Sequence, residues 1–217
     1  MEQGKGLARE IDDRHAEVVS TGGLANISYR ARRSRYPDDL RANQGYGEAD
    51  RYARQALQMS QEIGDPDQQA HLRTTLAHCQ LGMGNVAEAR AEFERALELW
   101  RELGHQHRAL EPLAGLAQVA LVEGDILQGQ FLLEQILECL PGGMAGGSEH
   151  ALWGHLVCYR LLRAVHDPRA LEILRAAHAQ LQEQASGIED PALRRSFLEN
   201  VSVHRELACE LGLARGG

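Results

Sequence analysis

An all-α solenoid of antiparallel helix pairs is the fold the sequence predicts, and three observations carry it. The segment from Glu48 to Leu137 is written nearly twice at an offset of 40 residues: Glu48-Ala49 returns as Glu88-Ala89, Ala56-Leu57 as Ala96-Leu97, Leu76-Ala77 as Leu116-Ala117, and Gly84 as Gly124. A fixed period of this size means stacked units, each a helix pair that cannot cover its own apolar face. Ala, Leu, Glu, Gln and Arg dominate, against three Phe, two Trp and five Tyr, so helix formers are abundant and strand formers scarce. Glycine followed by Asp or Asn, at Gly84-Asn85 and Gly124-Asp125, supplies the turns between helices.

In chain order, Gly6 to Asp13 reads as the end of a second helix, matching Met59 to Asp65, and Gly23-Leu24-Ala25-Asn26 then supplies the first-helix signature, so the chain begins inside a repeat. Arg30 to Gly47, with Pro37, Gly45 and Gly47, reads as a long connection whose loop covers about 34–47. Residues 66–83 place Leu72, Leu76 and Leu81 with Ala77 on one helical stripe; residues 86–103 do the same with Ala89, Phe93, Ala96, Leu97 and Trp100 and end at Gly104. Alanine at 77, 89 and 96 lets the helix axes approach closely. The repeats fill 1–140. The Gly-rich stretch 141–148 is a flexible junction, with Ser148 as N-cap of the next helix, and 149–217 holds at least three more helices, broken at His166-Asp167-Pro168 and at Gly187 to Pro191. The final helix is expected to bury Leu193, Phe197, Val201 and Leu207 or Ala208 and to close the array with Arg194, Arg195, Asn200 and Arg205 outside.

The words Leu76-Ala77, Gly84-Asn85, Ala89, Phe93 and Ala96-Leu97 resemble the tetratricopeptide repeat, and Leu116-Ala117, Gly124-Asp125 and Leu137 repeat it, with departures at Gly129, Leu133 and Ile136. HEAT-type repeats have a similar length but a different signature. The 40-residue period, Leu156 to Leu162 and Arg194 to Glu206 look like the long-repeat arrays at the C-terminus of large bacterial ATPase and cyclase-type signalling regulators. That resemblance, which covers nearly the whole chain, implies a right-handed α-solenoid with a C-terminal capping helix. It implies a non-catalytic protein-interaction or scaffold role, with effector sensing as the competing role.

Composition narrows the function further. A net charge of -8 argues against a duplex nucleic-acid partner, because such binding draws its affinity from Lys and Arg on phosphates. No run of about 18 apolar residues exists to span a membrane, and the N-terminus offers no secretory signal, so a cytoplasmic location is expected. Cys79, Cys139, Cys158 and Cys209 are scattered, as reduced, partly buried thiols are. No G-x-x-x-x-G-K-[ST], His-Glu-x-x-His or G-x-S-x-G occurs, so neither catalytic residues, a metal nor a cofactor is expected. The Arg30, Arg32, Arg33 and Arg35 cluster is answered by Asp38 and Asp39.

The repeat register places Asn26, His71, Thr74, His78, Glu111, Ala114 and Gln118 on the concave surface. Such a polar groove could hold the backbone of an extended peptide or protein segment by hydrogen bonds; plain solvated helix surface is the alternative. An apolar edge near Leu7 and Ile11 predicts self-association or contact with a further domain.

Overall fold

The structure, a computed structural model, describes residues 2–35, 42–139 and 149–216. Among them are ten helices and no strand: α1 (Glu2–Arg35), α2 (Ala42–Ile63), α3 (Pro66–Gly82), α4 (Val86–Glu102), α5 (Gln106–Glu123), α6 (Ile126–Cys139), α7 (Glu149–Ala164), α8 (Arg169–Ser186), α9 (Pro191–Asn200) and α10 (Ser202–Gly216). The side chains of Leu7, Ile11, Cys139 and the arginines from 30 to 35 lie outside the described residues, as does the 141–148 junction with Ser148.

The turns set the lengths of α2 to α6. Gly64, Gly84, Gly104 and Gly124, 20 residues apart, take φ of 71°, 83°, 73° and 74°. At each, the same two hydrogen bonds close the preceding helix. Asp65, Asn85, His105 and Asp125 donate their backbone N–H to the carbonyls of Ser60, Gln80, Trp100 and Ala120, while the four glycines donate to Gln61, Leu81, Arg101 and Leu121. This is the Schellman arrangement, in which a left-handed residue beyond the helix lets orphan carbonyls find donors. Two of these turns also start the next helix, Asp65 Oδ1 accepting from Gln68 N at 3.1 Å and Asp125 Oδ1 from Gln128 N at 3.0 Å.

A fifth copy ends α7 without glycine. Asp167 N–H reaches Leu162 O at 2.8 Å and His166 N–H reaches Arg163 O at 3.1 Å, with His166 itself at φ 56°. A side chain in the left-handed region costs about 1–2 kcal/mol. Allowing for the larger unfolded-state entropy of glycine, His166→Gly is expected to stabilise the protein by about 1 kcal/mol. The urea midpoint should rise without a change in slope, and a lower midpoint would refute the reading.

Contacts divide the chain into two compact units, Met1–Arg32 with Asp38–Ala109, and Arg33–Pro37 with Leu110–Gly217. In the first, Val18 and Ala25 of α1 pack with Ala53, Ala56 and Leu57 of α2 and with Leu72 and Leu76 of α3. Tyr29, Tyr46, Ala49 and Cys79 form a second buried cluster. On α4, Ala89, Phe93, Ala96, Leu97 and Trp100 are all buried, as their spacing predicts. Ala77 and Ala96 are fully buried, in keeping with close helix approach. In the second unit, Leu133, Ile136, Leu152, Leu156, Leu161, Leu162, Leu174, Leu181 and Leu207 are fully buried. Gly129, where the repeat would carry alanine, lets α7 come close: a Cβ there would lie 2.6 Å from Leu161 Cδ2 and 3.8 Å from Ala120 Cβ. Leu161 therefore occupies the volume that the departure at 129 leaves open.

Three expectations need correction. The N-terminal segment is one unbroken helix through Arg35, not the end of one helix followed by the start of another; Asp12 to Arg14 contains no glycine or proline to stop it. The connection is shorter than 34–47, since residues 34–35 end α1 and 42–47 begin α2; Tyr46 is buried and lies against Gly82. The last helix is two helices, because Val201 is extended at φ -87° and ψ 119°. That break rotates the stripe. Leu193 and Ala208 are exposed, and α10 instead buries Val203, His204, Leu207 and Leu211. His204 Nδ1 holds the break at 2.8 Å from Phe197 O, and Arg194 donates to Ile188 O at 2.9 Å and 2.6 Å. The expected cap on α9 is present: Asp190 Oδ1 accepts from Ala192 N at 2.7 Å and Leu193 N at 3.0 Å, with Pro191 in the first turn.

Candidate functional site

The first unit carries a cleft of about 370 Å³ between α1 and α3, lined by Val19, Gly22, Gly23, Asn26, Ile27, Gln68 and His71. Positions 19, 22, 23, 26 and 27 recur at three and four, so they form one stripe of α1. The two glycines serve different ends. A Cβ on Gly22 would meet Leu72 Cδ2 at 2.9 Å, so Gly22 is where α1 and α3 touch. A Cβ on Gly23 would meet nothing within 4 Å, so its missing side chain is what leaves the floor of the cleft open.

The walls are mixed in character. Val19 and Ile27 are 46% and 65% exposed, apolar groups left facing solvent at the two ends of the stripe. Between them Asn26 and Gln68 offer both donors and acceptors, and His71 adds a ring nitrogen of each kind when neutral. Among the described residues, no carboxylate, ammonium or guanidinium lines the cleft. Its geometry is pinned beside Gln68: Asp65 Oδ2 lies 3.0 Å from His15 Nδ1 of α1, while Asp65 Oδ1 caps the first turn of α3. One carboxylate thus ties the two helices that make the walls.

Of the expected surface residues, the structure brings Asn26 and His71 together here. Thr74 and His78 are instead part of the core, and that corrects their place on a partner-facing surface. Thr74 is 2% exposed and its hydroxyl donates to Ala70 O at 2.9 Å. His78 is 4% exposed, its ring stacked 5.4 Å from Tyr29 and edge-on 5.0 Å from Phe93. The physical reason is that α1 runs unbroken and brings Tyr29 over a face of α3 that repeat register alone leaves facing solvent. In the second unit, Glu111 is half-buried and Ala114 buried. Gln118 Oε1 is engaged at 3.3 Å by Arg160, whose Nε also donates to Glu206 at 3.0 Å. The residues that sequence reasoning missed are Val19, Gly22, Gly23, Ile27 and Gln68. A helical stripe from 19 to 27 was available as a signal, but ending a helix at Asp13 hid it.

Elsewhere several charged groups are engaged in structural contacts. Tyr159 donates to Glu210 at 2.7 Å, which Arg163 also meets at 2.8 Å; burial, and then the Glu210 carboxylate, push the phenol upward from its ordinary range. Arg169 bridges Glu134 at 2.6 Å and Asp167 at 2.8 Å, and its hydrogen bonds hold both carboxylates below their usual range. Burial pushes the Cys79 and Cys158 thiols up to about 12, so neither is a ready nucleophile at neutral pH. Among the described residues, no three His, Cys, Asp or Glu side chains gather as a metal site would require, and no helix is long and apolar enough to cross a membrane.

No family model matches the sequence, and no curated protein does so either. Solved structures do. The chain is similar to a Podosopora anserina protein described as a kinesin light chain with nearly identical TPR-like repeats, at 17% identity and a TM-score of 0.55, covering 92% of this chain and 90% of that one. It is also similar to BtubC (BKLC) from P. vanneervenii, at 20% identity and a TM-score of 0.56, covering 97% and 87%. These likenesses establish the fold as an all-α, tetratricopeptide-like helical-repeat solenoid.

Proposed function

We propose that this chain is a non-catalytic protein-interaction module that holds an extended, uncharged stretch of a partner polypeptide in the α1–α3 cleft. The observation that carries the reading is the makeup of that cleft: hydrogen-bonding Asn26, Gln68 and His71 set between exposed Val19 and Ile27, with no charged group among the described residues that line it. An extended segment presents backbone N–H and C=O groups along its length and side chains to alternate sides. The three polar side chains match the first, and the two apolar ends of the stripe match the second. The repeat fold of the neighbours supports a scaffold role, and a place in bacterial signalling or regulation rests on the resemblance of the repeat words alone.

Effector sensing is the second reading, favoured by a volume of about 370 Å³, within the range of small-molecule sites. The exposed walls at Val19 and Ile27 favour the polypeptide, since a small ligand gains most where its surface is enclosed.

Gly23→Leu provides the test. Its side chain would enter the cleft from a Cβ that meets nothing, and leucine suits a helix better than glycine, so the fold should keep or raise its thermal midpoint. The full chain and the variant are used as bait in lysate of the host, with mass spectrometry as readout. A protein recovered with the parent and lost with Gly23→Leu is the expected result. Identical recovery by both baits would sink the cleft as the binding site. A small molecule that shifts the parent's midpoint but not the variant's would move the sensing reading to the front.

A further inference from the structure

The face that α6 turns to solvent differs from the same face of the two second helices before it. The 40-residue register aligns Gly47, Ala87 and Leu127, and four residues on it aligns Arg51, Ala91 and Phe131. In α2 and α4 these positions carry glycine, arginine or alanine, as solvent-facing positions do. In α6 they carry leucine and phenylalanine, left 81% and 64% exposed. At a spacing of four, the two side chains share one stripe. Val122, at the end of α5 just before the Gly124 turn, is exposed as well. Single exposed apolar residues are ordinary, but an exposed Leu and Phe on one stripe, where the chain's own repeats keep small or charged groups, mark a surface that is used.

The charge around the stripe says by what. Between Arg108 and Arg160 the chain has no lysine or arginine and carries Glu111, Glu123, Asp125, Glu134, Glu138 and Glu149. Glu123 and Asp125 flank the turn into α6, and Glu134 and Glu138 continue along it. Arg169 reaches Glu134 from α8, but that guanidinium is divided between Glu134 and Asp167. Among the described residues, the field at the apolar stripe is thus net acidic, with Arg169 the basic group seen to reach α6. A second copy of this chain would set that field against itself, since a two-fold contact pairs like with like.

We propose that the Leu127–Phe131 stripe docks an amphipathic helix of a partner protein, one whose apolar face is flanked by lysine or arginine. Leucine and phenylalanine enter the partner's apolar groove, and the acidic residues pair with its basic edge and speed encounter. This surface lies in the second unit and is independent of the α1–α3 cleft.

The probe is a fluorescein-labelled helical peptide of alternating Leu and Lys stripes, titrated with the full chain and read by fluorescence anisotropy, beside a peptide in which Glu replaces Lys. Saturable binding of the Leu/Lys peptide alone is expected. The double variant Leu127→Ala, Phe131→Ala, which copies Ala87 and Ala91 and alters no charge, should bind about tenfold more weakly or worse. Both side chains are exposed, so its circular dichroism and thermal midpoint should match the parent's; should they not, Leu127→Gln alone repeats the reading. Gly23→Leu should bind this peptide like the parent, which keeps failure here distinct from failure at the cleft. Equal binding by the double variant would show that net charge alone attracts the peptide and would overturn the proposal, as would equal binding of both peptides or none. A dimer abolished by the double variant would overturn it in favour of a second copy, and variant-sensitive binding to phosphatidylcholine vesicles in favour of a lipid surface.

Discussion

Phe93→Ala is expected to destabilise the protein by about 3–5 kcal/mol, more than any other single substitution proposed for this chain. Phe93 is fully buried on α4 and meets the ring of His78 edge-on at 5.0 Å, and His78 stacks on Tyr29 at 5.4 Å, so one file of rings joins α4, α3 and α1. Truncation removes apolar area and leaves a void beside the buried His78 ring. Edge-to-face geometry adds about 0.5–1.5 kcal/mol beyond burial, so Phe93→Leu should cost measurably less than alanine but still be felt. Urea unfolding of the intact chain reads both variants. A loss below about 1.5 kcal/mol for the alanine variant would show that the first unit collapses around the gap, contrary to the packing described.

The second large effect is at Gly129. Valine there drives branched carbons into Leu161, whose Cδ2 already lies 2.6 Å from where a Cβ would stand, and overpacking of this kind costs about 1–3 kcal/mol. Leu161→Ala alone should cost about 2–5 kcal/mol by leaving a cavity. Together the two changes exchange volume between facing helices, so the double variant is expected to be more stable than Leu161→Ala by itself. Strictly additive losses would mean that the two positions do not contend for one space.

How each signal is encoded decides which parts of the molecule were legible in the sequence and which were hidden. The helices and turns of the α3–α4 hairpin were readable because their signals are local. Ala77, Ala89, Phe93 and Ala96 stand at helical spacing, and a glycine that must take positive φ comes after each helix. The segment before Arg35 was misread because Gly6 to Asp13 matches the helix end at Met59 to Asp65, and the reason for Gly22 and Gly23 within one long helix went unseen. Their reason is tertiary: one admits Leu72, and the other leaves a cleft. A glycine written for close approach and a glycine written for a turn are the same letter. The C-terminal break was hidden for a related reason. Val201 carries no turn signal, and extended geometry there becomes tolerable through the bond from His204 to Phe197, a contact seven residues apart. The candidate site was half visible. Asn26 and His71 came from repeat register, whereas burial of Thr74 and His78 depends on where Tyr29 arrives, which no periodicity states.

The four glycine turns carry a consequence for how such a chain can be edited. Gly64 and Gly104, and likewise Gly84 and Gly124, place the backbone in nearly the same conformation with the same pair of closing hydrogen bonds. A stretch cut from just after one of these glycines through the next-but-one therefore begins and ends on matching joints. It can be copied in tandem or removed without asking any neighbouring helix to change its exit direction. The natural unit of growth or loss in this chain is thus a helix pair measured from glycine to glycine, and chimaeras joined at those residues should be the ones that fold.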